Sequence, residues 1–289
     1  MKVLSLDLGG TMLKAGLVSP DGTISQFMEV PSYGKLGGPT LLQTALDTVG
    51  LFQGYDGIGI STAGQVDVAT GTIVYANENI PNYTGTNVAS IFYERFGVPI
   101  SVENDVNAAA LGEAKFGAGK GLPHFLCITY GTGIGGGIII DGQIYHGADG
   151  VAGELGHIVV HPNGKLCGCG QLGCYEQYAS TTALVAAAQL ADTTVTNGKT
   201  LFQKLDMLAP VVDSWVDEVA LGLVSLIHIM NPHAVILGGG IMNEPYIIST
   251  LKDKLYPKLM ESYRKVQIIN AKMGNQAGLL GAAFLAMQK

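Results

Sequence analysis

The sequence predicts an α/β protein of two domains, each a copy of one β-β-β-α-β-α unit, and three observations carry that reading. A glycine-punctuated meander occurs twice. The first copy runs from strand Val3–Leu8 through a Gly9-Gly10-Thr11 turn, a strand through Ala15–Val18 and an Asp21-Gly22 turn to Ile24. The second runs from Phe125–Tyr130 through Gly131-Thr132-Gly133, Gly137–Ile140 and Asp141-Gly142 to Ile144. The offset is 122 at Gly9/Gly131 and 120 at Gly22/Gly142, so one two-residue gap aligns the copies. The 41 glycines among 289 residues are roughly twice the usual ~7%. They lie among Val, Ile and Leu with no triplet period, which excludes collagen and disordered linker and assigns them to a packed fold. Short β-branched runs also alternate with amphipathic stretches, the pattern of a mixed sheet with helices on its faces.

Taken in order, the first meander is followed by a helix over Leu41–Phe52, a strand at Gly57–Ile60, a helix at Val88–Phe96, a strand at Ile100–Val102 and a helix at Asp105–Phe116. After the second meander, helices are expected at Thr181–Leu190, Leu201–Met207, Val211–Met230 and Tyr246–Met260, with a strand at Val266–Asn270. The last helix, Ala277–Met287, is expected to pack back on the first domain. The domains are then 1–115 plus 277–289, and 116–276. The runs Ile100–Asp105 and Ala234–Gly239 each end in a polar or glycine elbow, and extend the repeat if they are equivalent.

Sixteen basic and 23 acidic residues give a net charge of −7, and no Lys/Arg cluster occurs, so no nucleic-acid partner is expected. Asp7 interrupts the opening run before any signal-peptide apolar region forms, so a cytoplasmic protein is expected. The most apolar segment, Val219 to Met230, stops at Asn231-Pro232 and is too short to span a bilayer; it reads as a buried helix with no membrane role.

Four motifs carry chemistry. Asp7-Leu8-Gly9-Gly10-Thr11-Met12-Leu13-Lys14 follows a strand and combines amide-exposing glycines, a hydroxyl and a cation, the elements of a phosphate loop; a plain β-turn is the alternative. Tyr130-Gly131-Thr132-Gly133 is the equivalent hairpin of the second copy, and the two would face each other across a cleft to grip a nucleotide. Asp7 stands at the strand end, a position suited to Mg²⁺ held directly or through water. Glu103-Asn104-Asp105 occupies a strand-to-helix elbow. There Asp105 is either a helix N-cap or the base that accepts a hydroxyl proton in phosphoryl transfer, with Asn104 beside it offering a donor and an acceptor to a polyhydroxyl substrate. His157, Cys167, Cys169 and Cys174 form a His-x9-Cys-x-Cys-x4-Cys set suited to tetrahedral structural Zn²⁺, since thiols clustered in a reducing compartment more often bind metal than pair. Cys127, on an apolar strand, reads as a core residue.

Together the DLGGTMLK loop, the GTGIGGG hairpin, the ENDVNAAALGEA elbow and the GELGH…CGCGQLGCYE stretch resemble the repressor–ORF–kinase (ROK) family of bacterial sugar kinases, over essentially the whole chain. The resemblance implies ribonuclease H-like domains of the actin/hexokinase type around a cleft. It implies ATP and Mg²⁺ as cofactors with structural Zn²⁺, and a homodimer. It makes Asp105 the base. Asn104, Glu154, His157 and Glu176 become hydrogen-bonding partners of the sugar ring, with Gly64 and Asn77 closing the site. Phosphate and ATP contacts fall to Asp7, Gly9, Gly10, Thr11, Lys14, Gly131, Thr132 and Gly133, and Gly238 and Gly239 to the adenosine side. His157 would bind zinc through one ring nitrogen and face sugar with the other.

One departure concerns the substrate. Many glucose-specific members carry a Pro-Gly-Pro-type segment where this chain has Ser61-Thr62-Ala63-Gly64, which looks more like N-acetylmannosamine or β-glucoside kinases. The expected function is ATP-dependent phosphorylation of a hexose or hexose derivative, at the 6-hydroxyl; a β-glucoside kinase is the alternative within the fold. A sugar-sensing repressor relative would place a winged-helix domain ahead of the first strand, which here begins at Val3.

Overall fold

In the computed structural model, which describes residues 2–289, the chain forms two compact units, Met1–Gly121 with Gly137–Gly153 and Asn275–Lys289, and Leu122–Gly136 with Glu154–Gly274. In chain order the elements of the first half are β1 (Val3–Leu8), β2 (Met12–Val18), β3 (Ile24–Pro31), α1 (Gly38–Val49), β4 (Gly57–Thr62), β5 (Gln65–Asp67), β6 (Thr72–Tyr75), α2 (Val88–Phe96), β7 (Ile100–Asn104) and α3 (Asp105–Phe116). Those of the second half are β8 (Phe125–Tyr130), β9 (Ile134–Ile140), β10 (Gln143–Ile144), α4 (Glu176–Ala179), α5 (Thr181–Ala191), α6 (Gly198–Phe202), α7 (Leu205–Met230), β11 (Ala234–Gly238), α8 (Pro245–Leu255), β12 (Gln267–Asn270) and α9 (Ala277–Ala286).

The repeat is visible in the sheets. One has the order β3-β2-β1-β4-β7 and the other β10-β9-β8-β11-β12, the same third-second-first-fourth-fifth arrangement. In each, the first strand is parallel to the fourth and the fourth to the fifth. Strands flanked by parallel neighbours are covered on both faces and read as unbroken apolar runs; β4 is buried at all six positions and β11 at all five.

The register corrects one equivalence. Ala234–Gly238 pairs with the opening strand of its meander, so it corresponds to Gly57–Thr62 and not to Ile100–Asp105. The counterpart of β7 is β12. A β-branched run ending in an elbow describes any parallel strand of this fold, and only the pairing separates the fourth from the fifth. With this register, Asp7 and Asp105 of the first unit correspond to Thr129 and Met273 of the second, so the acid pair exists once.

Several boundaries differ from the sequence expectation, two of them for backbone reasons. The Leu201–Met207 and Val211–Met230 segments become α6 and a single α7, which runs on through Pro210 in its second turn and forgoes the one intrahelical bond that the proline cannot donate. Helix α8 ends at Leu255, and a short 3₁₀ turn, Tyr256–Lys258, carries Pro257. The β5–β6 hairpin and α4 are too short for periodicity to reveal. In the first unit α9 crosses α3 at glycine contacts: a Cβ on Gly281 would overlap the Ala108 carbonyl, and one on Gly112 the Ala277 carbonyl. No helix among the described residues is long and apolar enough to cross a membrane.

Candidate active site

In the first unit, the parallel register β1–β4–β7 lines up Asp7, Ser61 and Glu103. Ser61 Oγ donates to Asp7 Oδ1 at 2.8 Å and Lys14 Nζ to Asp7 Oδ2 at 3.2 Å. Lys14 reaches Asp7 because the β1–β2 turn makes the two direct partners across the hairpin, with Gly9 N–H donating to Met12 O at 3.1 Å. Lys14 Nζ also donates to Asn275 O, and an atom placed as Cβ on Gly278 would lie 3.2 Å from Asp7 Oδ1. The start of α9 therefore abuts the ends of β1 and β2 beside the Gly9-Gly10-Thr11 turn. Gly10 and Thr11 form the tip of this turn, with Gly34 packed so closely on Gly10 that its Cβ would sit 2.9 Å from Gly10 O.

At the elbow, Asn104 and not Asp105 caps α3: its Oδ1 accepts from Val106 N at 2.9 Å and Asn107 N at 3.1 Å. The capping alternative for Asp105 is thereby corrected: Asp105 is already the first helical residue, and Asn104 before it holds the cap, sharing Val106 N with Asp105 Oδ1 at 2.9 Å and taking Asn107 N itself. Asn104 Nδ2 donates to Gly64 O and to Asp105 Oδ1. Burial, and then the negative charge of Asp7, push the Asp105 carboxyl up to about 6, against hydrogen bonds from Val106 N and Asn104 that lower it. A carboxylate that titrates just below neutrality is ionised at pH 7 and still basic enough to accept a hydroxyl proton. Gly64 adopts φ 99°, and a Cβ there would lie 2.8 Å from Tyr75 O, so only glycine fits. Asn77 lies in an exposed turn, where its Oδ1 accepts from Asn79 N.

Beneath the elbow, buried Glu103 collects three donors. Its Oε1 accepts from Asn104 N at 2.9 Å and Asn107 Nδ2 at 3.1 Å, and its Oε2 pairs with His146 Nε2 at 2.7 Å. The hydrogen bond to Glu103 raises the His146 pKa, partly offset by burial. A raised folded-state pKa means the pair contributes stability below the ordinary histidine value of ~6.5 and loses it as pH climbs through the folded value. Replacing His146 with Gln is expected to cost about 1–2 kcal/mol at pH 6 and distinctly less at pH 8.5, read as the difference in Tm between wild type and variant at the two pH values. An equal loss at both would contradict the charged pair.

In the second unit, the Gly131–Gly133 hairpin borders a cavity of about 1080 Å³. Thr132, Val185, Gln189, Lys199, Phe202 and Glu244 are among its lining residues, and so is Gly240. Gly239, at φ 98°, lies so close to Tyr130 O that any Cβ would overlap it, and Gly238 packs on Thr129 at the end of β11. This closeness lets the β11 elbow and the hairpin share the floor of one pocket. The glycines are visible in the sequence, whereas Val185, Gln189, Lys199 and Phe202 are not, since a helix-borne pocket wall has no local motif.

The zinc ligand candidates converge. The donor atoms of His157, Cys167, Cys169 and Cys174 all lie within 4.8 Å of one another. His157 Nδ1 is 3.5 Å from Cys167 Sγ, and Cys169 Sγ is 3.5 Å from Cys174 Sγ. Bonds of ~2.0–2.3 Å in a tetrahedron separate ligand atoms by about 3.3–3.8 Å, so three thiolates and one imidazole here suit Zn²⁺. With Nδ1 turned to the sulfurs, His157 Nε2 points away, 3.8 Å from Glu154 Oε2. Glu176, at the start of α4, accepts from Ile134 N at 2.9 Å.

A model of the ROK family matches residues 3–289. The chain belongs to the ROK family. This ROK protein is 38% identical to a glucokinase of Streptomyces coelicolor, over 99% of this chain and 97% of that one. It is 34% identical to a β-glucoside kinase of Listeria monocytogenes, over 100% and 98%. Its fold matches the crystal structure of a ROK family glucokinase from Streptomyces griseus in complex with glucose and AMPPNP, with a TM-score of 0.88, 34% identity and 100% of both chains covered.

Proposed function

We propose that this ROK protein is an ATP-dependent sugar kinase that transfers the γ-phosphoryl group to a hexose or hexose derivative, at the 6-hydroxyl. The observation that carries the reading is Asp105, a carboxyl held near pKa 6 at a helix start, beside a turn carrying Asp7 and Lys14. Asp105 takes the proton from the attacking hydroxyl, and Asn104, fixed by Gly64 O and by its own cap bonds, orients the sugar beside it. Glu154, His157, Glu176, Gly64 and Asn77 complete the set of sugar partners. The Gly9-Gly10-Thr11 turn and the Gly131-Thr132-Gly133 hairpin each offer amides and hydroxyls suited to phosphate oxygens, with Lys14 adding charge beside the first. The 1080 Å³ cavity beyond Gly238 and Gly239 is ample for adenosine.

Asp7 would hold Mg²⁺, which offsets phosphate charge in transfer. His157, Cys167, Cys169 and Cys174 would hold Zn²⁺, which fixes the ring of His157 and the loop behind it. Metal analysis of purified protein is expected to give one zinc per chain, and a chain free of zinc would refute that ligand set. The reading includes a cytoplasmic homodimer, whose mass light scattering measures.

Similarity to glucokinases favours glucose, and similarity to β-glucoside kinase together with the Ser61-Thr62-Ala63-Gly64 segment favours a substituted sugar. ADP release measured over glucose, mannose, N-acetylmannosamine, N-acetylglucosamine, fructose and cellobiose separates them. Stimulation by at least one sugar is expected, and a rate indifferent to all six would count against kinase activity on this class.

A further inference from the structure

The segment that leaves the zinc loop is the same segment that grips the phosphate hairpin. Cys174 pairs with Val159 across an isolated bridge and Tyr175 N donates to Ile158 O at 2.8 Å, so the last cysteine is tied back into its own loop. Two residues later the chain turns to the hairpin. Glu176 Oε2 accepts from Ile134 N at 2.9 Å, and Gly133 packs so closely on that carboxylate that no Cβ fits between them. Thr181 N donates to Gly131 O at 3.0 Å, Thr181 Oγ1 to Tyr130 O at 3.0 Å, and Thr182 Oγ1 to Thr132 O at 2.8 Å. Every carbonyl from Tyr130 to Thr132 is thus taken by residues 181–182. Gly131 N closes the turn on Gly133 O.

The connection is rigid. Tyr175 is buried, its OH donates to Val219 O at 2.8 Å, and having given its one proton it accepts from Tyr130 OH, also at 2.8 Å. Its ring fills the space over Gly222, where any Cβ would collide. Trp215 stands edge-on to Tyr130 and donates through Nε1 to Ser180 O, the carbonyl just ahead of Thr181.

We propose that Glu176, Thr181 and Thr182 are positioning residues that mould the Gly131–Gly133 hairpin into its phosphate-binding shape, so that metal bound in the zinc loop governs nucleotide affinity. The inference rests on the nucleotide reading of the hairpin given above. It extends the zinc site's influence from the sugar partner His157 to the opposite substrate.

Trp215 is the sole tryptophan of the chain and touches both ends of this connection, so its emission reports on it directly. MgADP is titrated into the zinc-loaded protein, and into the same protein after chelation, without sugar, with Trp215 fluorescence and calorimetry as readouts. Chelation is expected to raise the Kd for MgADP by roughly tenfold while circular dichroism shows the protein still folded. Thr182→Val, which loses one brace and keeps its shape, is expected to raise it by roughly fivefold with zinc content unchanged, and to raise KM for ATP more than KM for sugar. Thr182→Ser, which keeps the hydroxyl, is expected to restore both. A Kd unchanged in Thr182→Val, or unchanged on chelation of a protein that stays folded, overturns the proposal. If chelation unfolds the chain, the Thr182 pair decides alone. Failure of the zinc-loaded wild type to bind MgADP at all overturns the nucleotide reading itself, a result distinct from binding that ignores zinc.

Discussion

Asp105→Asn lowers kcat by about 10²–10⁴-fold and at the same time raises the thermal stability of the protein at pH 8. The first effect follows from losing the proton acceptor while its neighbours stay in place, since the amide oxygen of the variant can still accept from Val106 N and Asn104 Nδ2. The second follows from linkage. The Asp105 carboxyl titrates at about 6 in the folded protein and at ~3.9 when unfolded. Between those values the native state holds a proton that the unfolded state releases, so this group stabilises the fold as pH falls through the window. Above about 6 the ionised carboxylate is a standing cost, at most about 3 kcal/mol for two units and nearer 1–2 after discounting its partial exposure. The neutral amide removes that cost, which corresponds to a Tm gain of about 2–6 °C. The wild-type kcat/KM should fall about tenfold per pH unit below 6, and the residual activity of the variant should lack that limb. Near-normal turnover in Asp105→Asn would remove the base role, and a lower Tm at pH 8 would contradict the burial account of its pKa.

Gly281→Val abolishes cooperative folding. Gly281 lies where α9 crosses α3, and a Cβ there overlaps Ala108 O and comes within 2.8 Å of Gly112 N. Backbone on the facing helix cannot move aside as a flexible side chain would, and the crossing also holds Gly112 against Ala277 O. Overpacking against fixed backbone places this change in the exceptional class, above about 4 kcal/mol. The start of the same helix abuts Asp7, so any splaying of α9 should also disturb Asp7 and the Gly9-Gly10-Thr11 turn beside it. Gly50→Ala is the contrast. Gly50 ends α1 in right-handed helical geometry and is exposed, so alanine there should be neutral or stabilise by about 0.4–1 kcal/mol. Thermal melts of the pair check both, and a cooperative wild-type-like melt for Gly281→Val would contradict the close crossing.

Asp105, Asp7 and the convergence of His157 with the three cysteines could be picked out because each sits in a local pattern: a strand end, a glycine turn, a cysteine spacing. Glu103 was visible in the same motif, but its partner His146 lies 43 positions away in an unremarkable Tyr-His-Gly segment and no spacing points to it. Ser61 appeared only as part of a specificity segment, although the β1–β4 register turns it onto Asp7. The cavity walls Val185, Gln189, Lys199 and Phe202 come from helix faces whose apolar spacing is indistinguishable from that of a core helix.

By itself the sequence determined the repeat, the two glycine turns, the acid at the elbow and the clustered histidine and three cysteines, because turns, caps and cysteine spacing are dictated by residues near one another in the chain. Tertiary structure decided the rest: which strand is fourth and which fifth, that Asn104 and not Asp105 takes the cap, and that residues 176–182, leaving the cysteine loop, hydrogen-bond the Gly131–Gly133 hairpin. Those outcomes depend on which backbone donors and carbonyls meet across strands and helices far apart in sequence. Hydrogen-bond satisfaction fixes them only once the sheets have paired.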